Sequence, residues 1–400
     1  MTEAVLVLNA GSSSLKFAVY EGDGDLQLRL RGAVSRLRQA PRLTVEVDGE
    51  VIVDRPFDPP MALALAADAV FAQLDALGWL LRIGVVGHRI VHGGRGFVDP
   101  IVLDPESIGA LRSLTPLAPL HQPYNLDIAE SAARLLPRAV QVGCFDTAFH
   151  AARPGLDRLY ALPRALSEDG VVAYGFHGLS YAHIAGVLRT RDGERAGGRA
   201  IVAHLGSGAS LCAMESGRSL ATTMGFSALD GLVMSSRCGS LDPGVLLHLL
   251  QDRGMSPEDL TRLLYEESGL LGVSGISGDM QTLLDSADPH AAEAVDLFVY
   301  RIGREIGSLA AALGGLDTLV FTAGIGENAP VVRSRICQAA AWLGLRIDEA
   351  RNASGQVDIA GEGSAAAILV LPTDEERAVA VGAARLWGER LASLPPLASH

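Results

Sequence analysis

Short apolar runs alternate along this chain with turn signals and with longer stretches whose apolar residues recur every three or four positions. Val5–Leu8, Leu15–Tyr20, Leu26–Val34 and Leu43–Val53 read as an antiparallel meander, with Glu21-Gly22-Asp23-Gly24-Asp25 as a turn and Asp54–Pro60 as its break. Helical spacing follows over Met61–Leu80, Asp104–Leu114 (opening near Pro105) and Tyr124–Leu136, interleaved with strands at Ile83–Val86 and Val140–Phe145. Asp146–Arg164, with Pro154, Gly155 and Pro163, reads as an irregular crossing into a second domain. Beyond it the pattern predicts a helix at Ser180–Leu188, a hairpin over Arg199–Met214, a strand at Leu220–Thr223 and a long loop at Gly225–Gly244. Helices are expected at Val245–Gln251 and at Pro257–Ser268, the latter capped by Ser256, and Gly269–Gly278 reads as a Gly-rich loop. A helix beginning at Asp279–Leu284, a long amphipathic helix at Ala291–Leu313 and a strand at Thr318–Thr322 come next. A second Gly-rich loop at Gly324–Asn328, a helix at Val331–Leu343, a strand at Ala366–Leu371 and a closing helix at Asp374–Leu391, with Thr373 as cap, complete the order of a layered α/β protein.

Two of these turns share one design. Asn9 leads into Gly11-Ser12-Ser13-Ser14, and half a chain later an apolar run enters Gly206-Ser207-Gly208-Ala209-Ser210. Small residues at a turn let backbone N–H groups approach an anion closely, so both read as phosphate-gripping hairpins of two related domains facing each other across a cleft. A polar β-turn is the plainer reading of the first one alone; it has Lys16 but no GxxxxGK[ST] spacing.

Length and charge narrow the picture. With 400 residues, two domains are expected, and the net charge of −13 lacks the basic footprint of a nucleic-acid binder. No apolar run is long enough for a membrane span, and the N-terminus has no basic region or cleavage site of a secretion signal. Cys144, Cys212, Cys238 and Cys337 are scattered, which fits reduced thiols in a cytoplasmic protein and gives no disulfide framework or zinc site.

The candidate chemistry lies at strand ends and in loops. Arg89, in Gly87-His88-Arg89-Ile90-Val91-His92-Gly93-Gly94, either grips a carboxylate or phosphate or pins the fold through an ion pair. Asp146 ends a strand and calls for an Arg, a water or a metal; a structural cap is the other reading. His121 stands between prolines in a loop, as readily structural as functional, and His177 stands between glycines (Gly175 and Gly178) just before a helix, where it suits a phosphoryl contact or a cap of the helix start. Arg237 stands in a loop of small residues, as an arginine for transition-state charge would. Its neighbour Cys238 is either packed or reactive. Glu375 and Glu376 open the closing helix, where they favour its dipole or contact a metal. Together these describe phosphoryl transfer, which needs positioning and positive charge more than covalent help.

In LNAGSSSLKF, GHRIVHGG, APLHQPYN, FDTAFH, YGFHGLSYAHI, AHLGSGAS, TTMGFSALDGLVMSSRCGSLDPG, GVSGISGDM, FTAGIGEN and PTDEERAVA, the chain resembles the acetokinase (acetate kinase) family from near its start to its last helix. That resemblance implies two duplicated actin-like ATPase (ribonuclease H-like) α/β domains around a central cleft. The acyl and phosphate side would be 1–148 with the closing 377–400, and the nucleotide side 149–376. It implies Mg²⁺-dependent reversible transfer between ATP and acetate, giving acetyl phosphate and ADP, with Mn²⁺ as a substitute ion, propionate as a second acceptor and a homodimeric state. By motif it makes Asn9 and Glu375 the metal contacts. Asp146, His177, Arg237, Arg89 and His121 would be the catalytic set, and Arg89, Val91, Leu120 and Phe176 the acyl site. Lys16, His204, Leu205, Gly206, Ser207, Gly208, Asp279, Met280, Gln281, Gly324, Ile325, Gly326, Glu327 and Asn328 would hold the nucleotide.

This chain departs from the family pattern at three places. Ser207 stands for an Asn in the phosphate loop, Gln281 for an Arg that packs on adenine, and Ala228 for a Pro of the acyl pocket. The first two leave another phosphoryl donor, pyrophosphate or a different nucleotide, as an alternative. The third leaves room for propionate, since one methylene is worth only about 1–3 kcal/mol in such a pocket. From another class, a non-catalytic actin-like nucleotide-binding protein is the rival, although it has no use for Arg89, Arg237 and His177 together.

Overall fold

The structure is a computed structural model; it describes residues 4–11, 14–22, 25–193 and 197–393. The chain divides into two compact units, Met1–Ala148 with Asp374–His400, and Phe149–Thr373.

The first unit is built on eight strands: β1 Ala4–Ala10, β2 Leu15–Glu21, β3 Gln27–Ser35, β4 Arg42–Val47, β5 Glu50–Pro56, β6 Ile83–Ile90, β7 Ile101–Val102 and β8 Val140–Phe145. They lie in the order β5-β4-β3-β2-β1-β6-β8-β7. The meander β1–β5 is antiparallel, whereas β1 with β6 and β6 with β8 run parallel. Every residue of β1 is buried, the mark of a central strand covered on both faces. Leu63–Ala76 and Gln122–Leu135 supply Val70, Phe71, Leu74 and Ile128 to the core on the sheet. The closing helix Glu375–Ser393 packs on the sheet through Val379 and Ala383, which meet β6 at Gly87.

The second unit has β9 Arg199–Leu205, β10 Ala209–Glu215, β11 Arg218–Thr222, β12 Thr318–Thr322 and β13 Ala367–Val370, in the order β11-β10-β9-β12-β13. Here β9–β11 are antiparallel, and β12 runs parallel to β9 and β13. Strand for strand this repeats β3-β2-β1-β6-β8 of the first unit, the duplication expected of two actin-like ATPase domains. The helix Pro289–Leu313 is set at both ends by side chain and backbone chemistry. Asp288 accepts from the His290 N–H, Pro289 opens the first turn, and Gly314 closes the helix in the left-handed region.

The pattern reading needs four corrections. The stretch Leu43–Val53 is two strands, because Asp48 and Gly49 adopt positive φ and turn the chain between them. Within Gly269–Gly278, Gly269–Ser274 is helical: Leu270 and Ser274 are buried, and packing overrides the weak propensity of glycine. Ala323–Asn328 is likewise a helix, closed from within when the Glu327 carboxylate accepts the Ala323 N–H at 2.7 Å. The cap of the closing helix is Asp374, whose Oδ1 accepts the Arg377 N–H at 2.7 Å; Thr373 instead pairs its hydroxyl with Ser180 at 2.7 Å.

Candidate active site

In the first unit the carboxyl ends of β6 and β8 lie side by side, so Arg89 and Asp146 meet although far apart in sequence. Arg89 donates from Nη2 to Asp146 Oδ2 at 2.6 Å and from Nε to the same oxygen at 3.1 Å. Its Nη1 donates to Asn9 Oδ1 at 3.2 Å, and Glu375 Oε2 lies 3.7 Å from its Nε. Asn9 turns its amide nitrogen to Glu376 Oε1 at 3.2 Å, which brings Glu376 into the cluster beside Glu375. The helix start Glu375-Glu376 offers both carboxylates as metal contacts in the sequence, whereas the family resemblance names Glu375 alone.

Burial pushes the Asp146 carboxyl up from its ordinary range, Arg89 pulls it back, and Glu375 raises it again. Burial works against the Arg89 charge as well, but Asp146 and Glu375 outweigh it and keep the guanidinium firmly protonated. One guanidinium faces Asp146, Glu375 and Glu376.

The neighbouring residues frame this cluster. Val91 is buried, and its N–H donates to Asn125 Oδ1 at 3.0 Å; Asn125 in turn donates to the Ala10 carbonyl at 2.7 Å and ties β1 to β6. His121 occupies the position before the helix Gln122–Leu135, and Leu120 is half-buried beside it. Lys16 is exposed on β2, paired in register with Asn9. Of the first glycine-serine turn, Gly11 donates to the Ser14 carbonyl at 2.8 Å, and Ser12 and Ser13 lie outside the described residues. His88 is buried, faces Gln141 Oε1 at 2.8 Å and is held neutral by burial, with a pKa of about 4.

In the second unit the β9–β10 hairpin opens onto a cavity of about 490 Å³. Gly206, Ser207, Asp279, Met280, Gln281, Gly324, Ile325 and Asn328 line it, together with Ser235, Gly278 and Ala329, which sequence reasoning did not single out. Its size is that of a ligand pocket. Asp279 caps its helix by accepting the Thr282 N–H at 2.9 Å. The Gln281 amide nitrogen is 3.0 Å from both Asp285 oxygens, one turn along the same helix. Gly326 and Glu327 are turned inward instead: Gly326 is buried, and the Glu327 carboxylate serves the Ala323 and Thr373 backbone. Leu205 is buried in β9.

At the hairpin tip two basic side chains converge. A Cβ at Gly208 would lie 3.1 Å from His177 Nε2 and 3.8 Å from Arg237 Nη1, so glycine is what allows both to approach the loop. Arg237 Nη1 also donates to the Ala228 carbonyl at 3.2 Å. His177 sits at φ 58°, ψ 22° before the helix Gly178–Asp192, and its ring stacks on His204 with centroids 4.2 Å apart. A non-glycine residue in this left-handed region carries strain that its surroundings must impose. Buried Arg153 donates from Nη2 to the Ala173 and Tyr174 carbonyls, and His150 Nε2 lies 2.9 Å from the Phe176 carbonyl. The His150 pKa falls to about 3 through burial and Arg153, so the neutral ring donates from Nε2 to that carbonyl. Phe176 is buried in this unit, whereas Val91 and Leu120 belong to the other.

The family model described as the acetokinase family matches residues 4–381. The chain belongs to the acetokinase family. It is an enzyme, a kinase of the class whose acceptor is a carboxyl group. An acetate kinase of Rhodopseudomonas palustris is 51% identical over 393 residues, covering 95% of this chain and 97% of its own length. The crystal structure of Porphyromonas gingivalis acetate kinase is similar with a TM-score of 0.85 at 34% identity, covering 96% of this chain and 100% of its own. That of a propionate kinase from Francisella tularensis is similar with a TM-score of 0.89 at 31% identity, covering 96% and 99%. These likenesses carry the fold class read from the duplicated sheets. Among the described residues no helix is long and apolar enough to cross a membrane.

Proposed function

We propose that the chain transfers a phosphoryl group reversibly between ATP and acetate, giving acetyl phosphate and ADP, with Mg²⁺ required and propionate as a second acceptor. The observation that carries this reading is the convergence of His177 and Arg237 on Gly208, at the tip of a hairpin that opens a nucleotide-sized cavity. Gly206, Ser207, Asp279, Gln281, Gly324 and Asn328 hold the nucleotide. Arg89 orients the acceptor carboxylate, with Val91, Leu120 and Phe176 as the apolar surface for its methyl group and His121 as a further basic contact.

An ionised carboxylate is already a nucleophile, so the chain needs no strong base. Arg89 and Arg237 reduce its repulsion from the polyphosphate, and they and His177 stabilise charge on the equatorial oxygens of the passing phosphoryl group. Asp146 holds Arg89 in orientation through its paired hydrogen bonds.

The Glu375 and Glu376 carboxylates beside the Asn9 amide are the hard oxygen donors that suit Mg²⁺, which takes one or two carboxylates and fills its shell with water and substrate phosphates. Those residues would hold the ion, with Mn²⁺ as a substitute, and it would supply charge neutralisation to the phosphates. The same reading makes the protein a cytoplasmic homodimer. Burial of Cys144, Cys212 and Cys337 raises each thiol to about 12, consistent with cysteines kept reduced.

The test is hydroxamate trapping of the acyl phosphate from acetate, propionate or butyrate, each with ATP, GTP or pyrophosphate. Product with ATP and acetate supports the proposal, and product only with another donor replaces ATP in it. Silence from folded protein with every pair would leave a nucleotide-binding protein without catalysis. Ser207 and Gln281 are the specific reason to include other donors. Because the Gln281 amide is bound to Asp285, Gln281→Arg should place a planar cation at the same cavity wall and lower the KM for ATP relative to GTP. An unchanged ATP/GTP ratio would remove position 281 from adenine recognition.

A further inference from the structure

Strand β10 presents Ser210, Cys212 and Met214 on one face to the helix Gly178–Asp192. Cys212 and Met214 pack there with Tyr181, Ile184 and Leu188. Ser210 is the polar end of this apolar row. It is fully buried, as is Tyr181. Its Oγ lies 2.5 Å from Tyr181 Oη and 2.8 Å from His177 Nδ1.

Two hydrogen bonds meet at one hydroxyl, and each hydroxyl has a single proton to give. With a neutral ring three polarities are open; one of them, in which Tyr181 and His177 Nδ1–H both donate to Ser210, leaves the buried Ser210 proton without a hydrogen-bond acceptor among the described residues and is disfavoured, and the other two differ in direction along the chain. In the first of those two, Tyr181 donates to Ser210 and Ser210 donates to His177 Nδ1. Every proton is then used, Nδ1 is the acceptor, and the proton of the neutral ring sits on Nε2. In the second, His177 Nδ1–H donates to Ser210 and Ser210 donates to Tyr181. The Tyr181 proton is then left without an acceptor, because Ser210 is its sole hydrogen-bond partner among the described residues. Leaving a buried donor unpaired costs about 1–3 kcal/mol, which selects the first polarity. The Nε2 that this protonates is the ring atom nearest Gly208 at the phosphate loop.

We propose that Tyr181 and Ser210 are positioning residues that hold His177 as the neutral Nε2–H tautomer, so that it gives a hydrogen bond to the transferred phosphoryl group. This deepens the phosphoryl-transfer reading and rests on it. A donor poised this way needs no proton transfer during the reaction. No bond to His177 forms or breaks, and the phosphoryl group passes directly between the two substrates.

The experiment has two readouts on the whole protein. In ¹⁵N-histidine-labelled wild type, with the His177 ring assigned by loss of its signals in His177→Gln, long-range ¹H–¹⁵N correlation should show a protonated Nε2 and an unprotonated Nδ1. A protonated Nδ1 would overturn the relay whatever the enzyme does. In steady-state kinetics, Ser210→Ala should lower kcat by about 10- to 100-fold, the usual scale for losing an outer partner of a functional histidine, with the KM values for ATP and acetate little changed. Ser210→Thr, which keeps the hydroxyl, should recover most of the rate. Wild-type kcat in Ser210→Ala would also overturn the proposal. The tautomer measurement needs no substitution in the relay, so it stands if Ser210→Ala fails to fold. The expected tautomer in a protein that makes no acyl phosphate would reject phosphoryl transfer while leaving the relay intact.

Discussion

Arg237→Ala is expected to lower kcat by about 10³-fold or more while leaving the melting temperature little changed. The magnitude is that of removing an arginine that meets charge developing on a transferring phosphoryl group. A modest effect on stability is expected of a half-buried side chain carried by a loop outside the hydrophobic core. Arg237 is half-buried in the 225–244 loop, and its bond to the Ala228 carbonyl at 3.2 Å is a long one. Loss of that bond is worth about 1 kcal/mol. Arg237→Lys should recover little of the rate, because an ammonium on a flexible stem does not reproduce a planar fork. Kinetics beside thermal denaturation checks both halves. A variant that keeps kcat within tenfold, or one that unfolds, removes Arg237 from the reaction.

The second large effect concerns Arg89, where stability and activity are tied together. Arg89→Met leaves Asp146 buried with no guanidinium, next to Glu375 and Glu376. Breaking a buried pair from one side costs about 3–5 kcal/mol, and activity should fall with it. The cost depends on pH in a definite direction. In the folded protein the Asp146 carboxyl is already raised by burial, and losing Arg89 raises it further. A carboxyl that binds its proton more tightly folded than unfolded stabilises the fold at low pH. That contribution is lost as pH rises through the folded-state pKa. The deficit of Arg89→Met relative to wild type should therefore be largest at neutral and alkaline pH and shrink as the solution is made acidic. Adding Asp146→Asn should restore much of the stability and none of the activity. Denaturant titrations at several pH values would show this; a pH-independent deficit, or no gain from the double substitution, would contradict the account of the pair.

Part of this site was legible in the order of residues. The turns at Gly11–Ser14 and Gly206–Ser210 interrupt apolar runs, so their hairpins stood out, and the repeat of one pattern foreshadowed two sheets of one topology. Arg89 and Asp146 each stood out at the end of an apolar strand. Their pairing did not, because it depends on β6 and β8 being parallel neighbours, and strand order is a property of the assembled sheet. The tie from Asn9 to Glu376, at opposite ends of the chain, is hidden for the same reason. Gly269–Ser274 and Ala323–Asn328 read as loops because glycine is a poor helix former; buried Leu270 and the inward carboxylate of Glu327 decide otherwise, and neither leaves a local mark. Ser210 looked like one more small residue of a phosphate turn. Its second role appears only when Tyr181, from a separate helix, is found packed against it.

Stereochemistry at phosphorus separates direct transfer, with His177 as donor, from a route in which a side chain is the nucleophile. ATP made chiral at its γ-phosphorus with oxygen isotopes and sulfur would be turned over with acetate, and the configuration of the acyl thiophosphate read. Inversion is expected, the outcome of one in-line displacement. Retention would mean two displacements through a phosphorylated side chain, and it would contradict both the direct mechanism and the part given to His177.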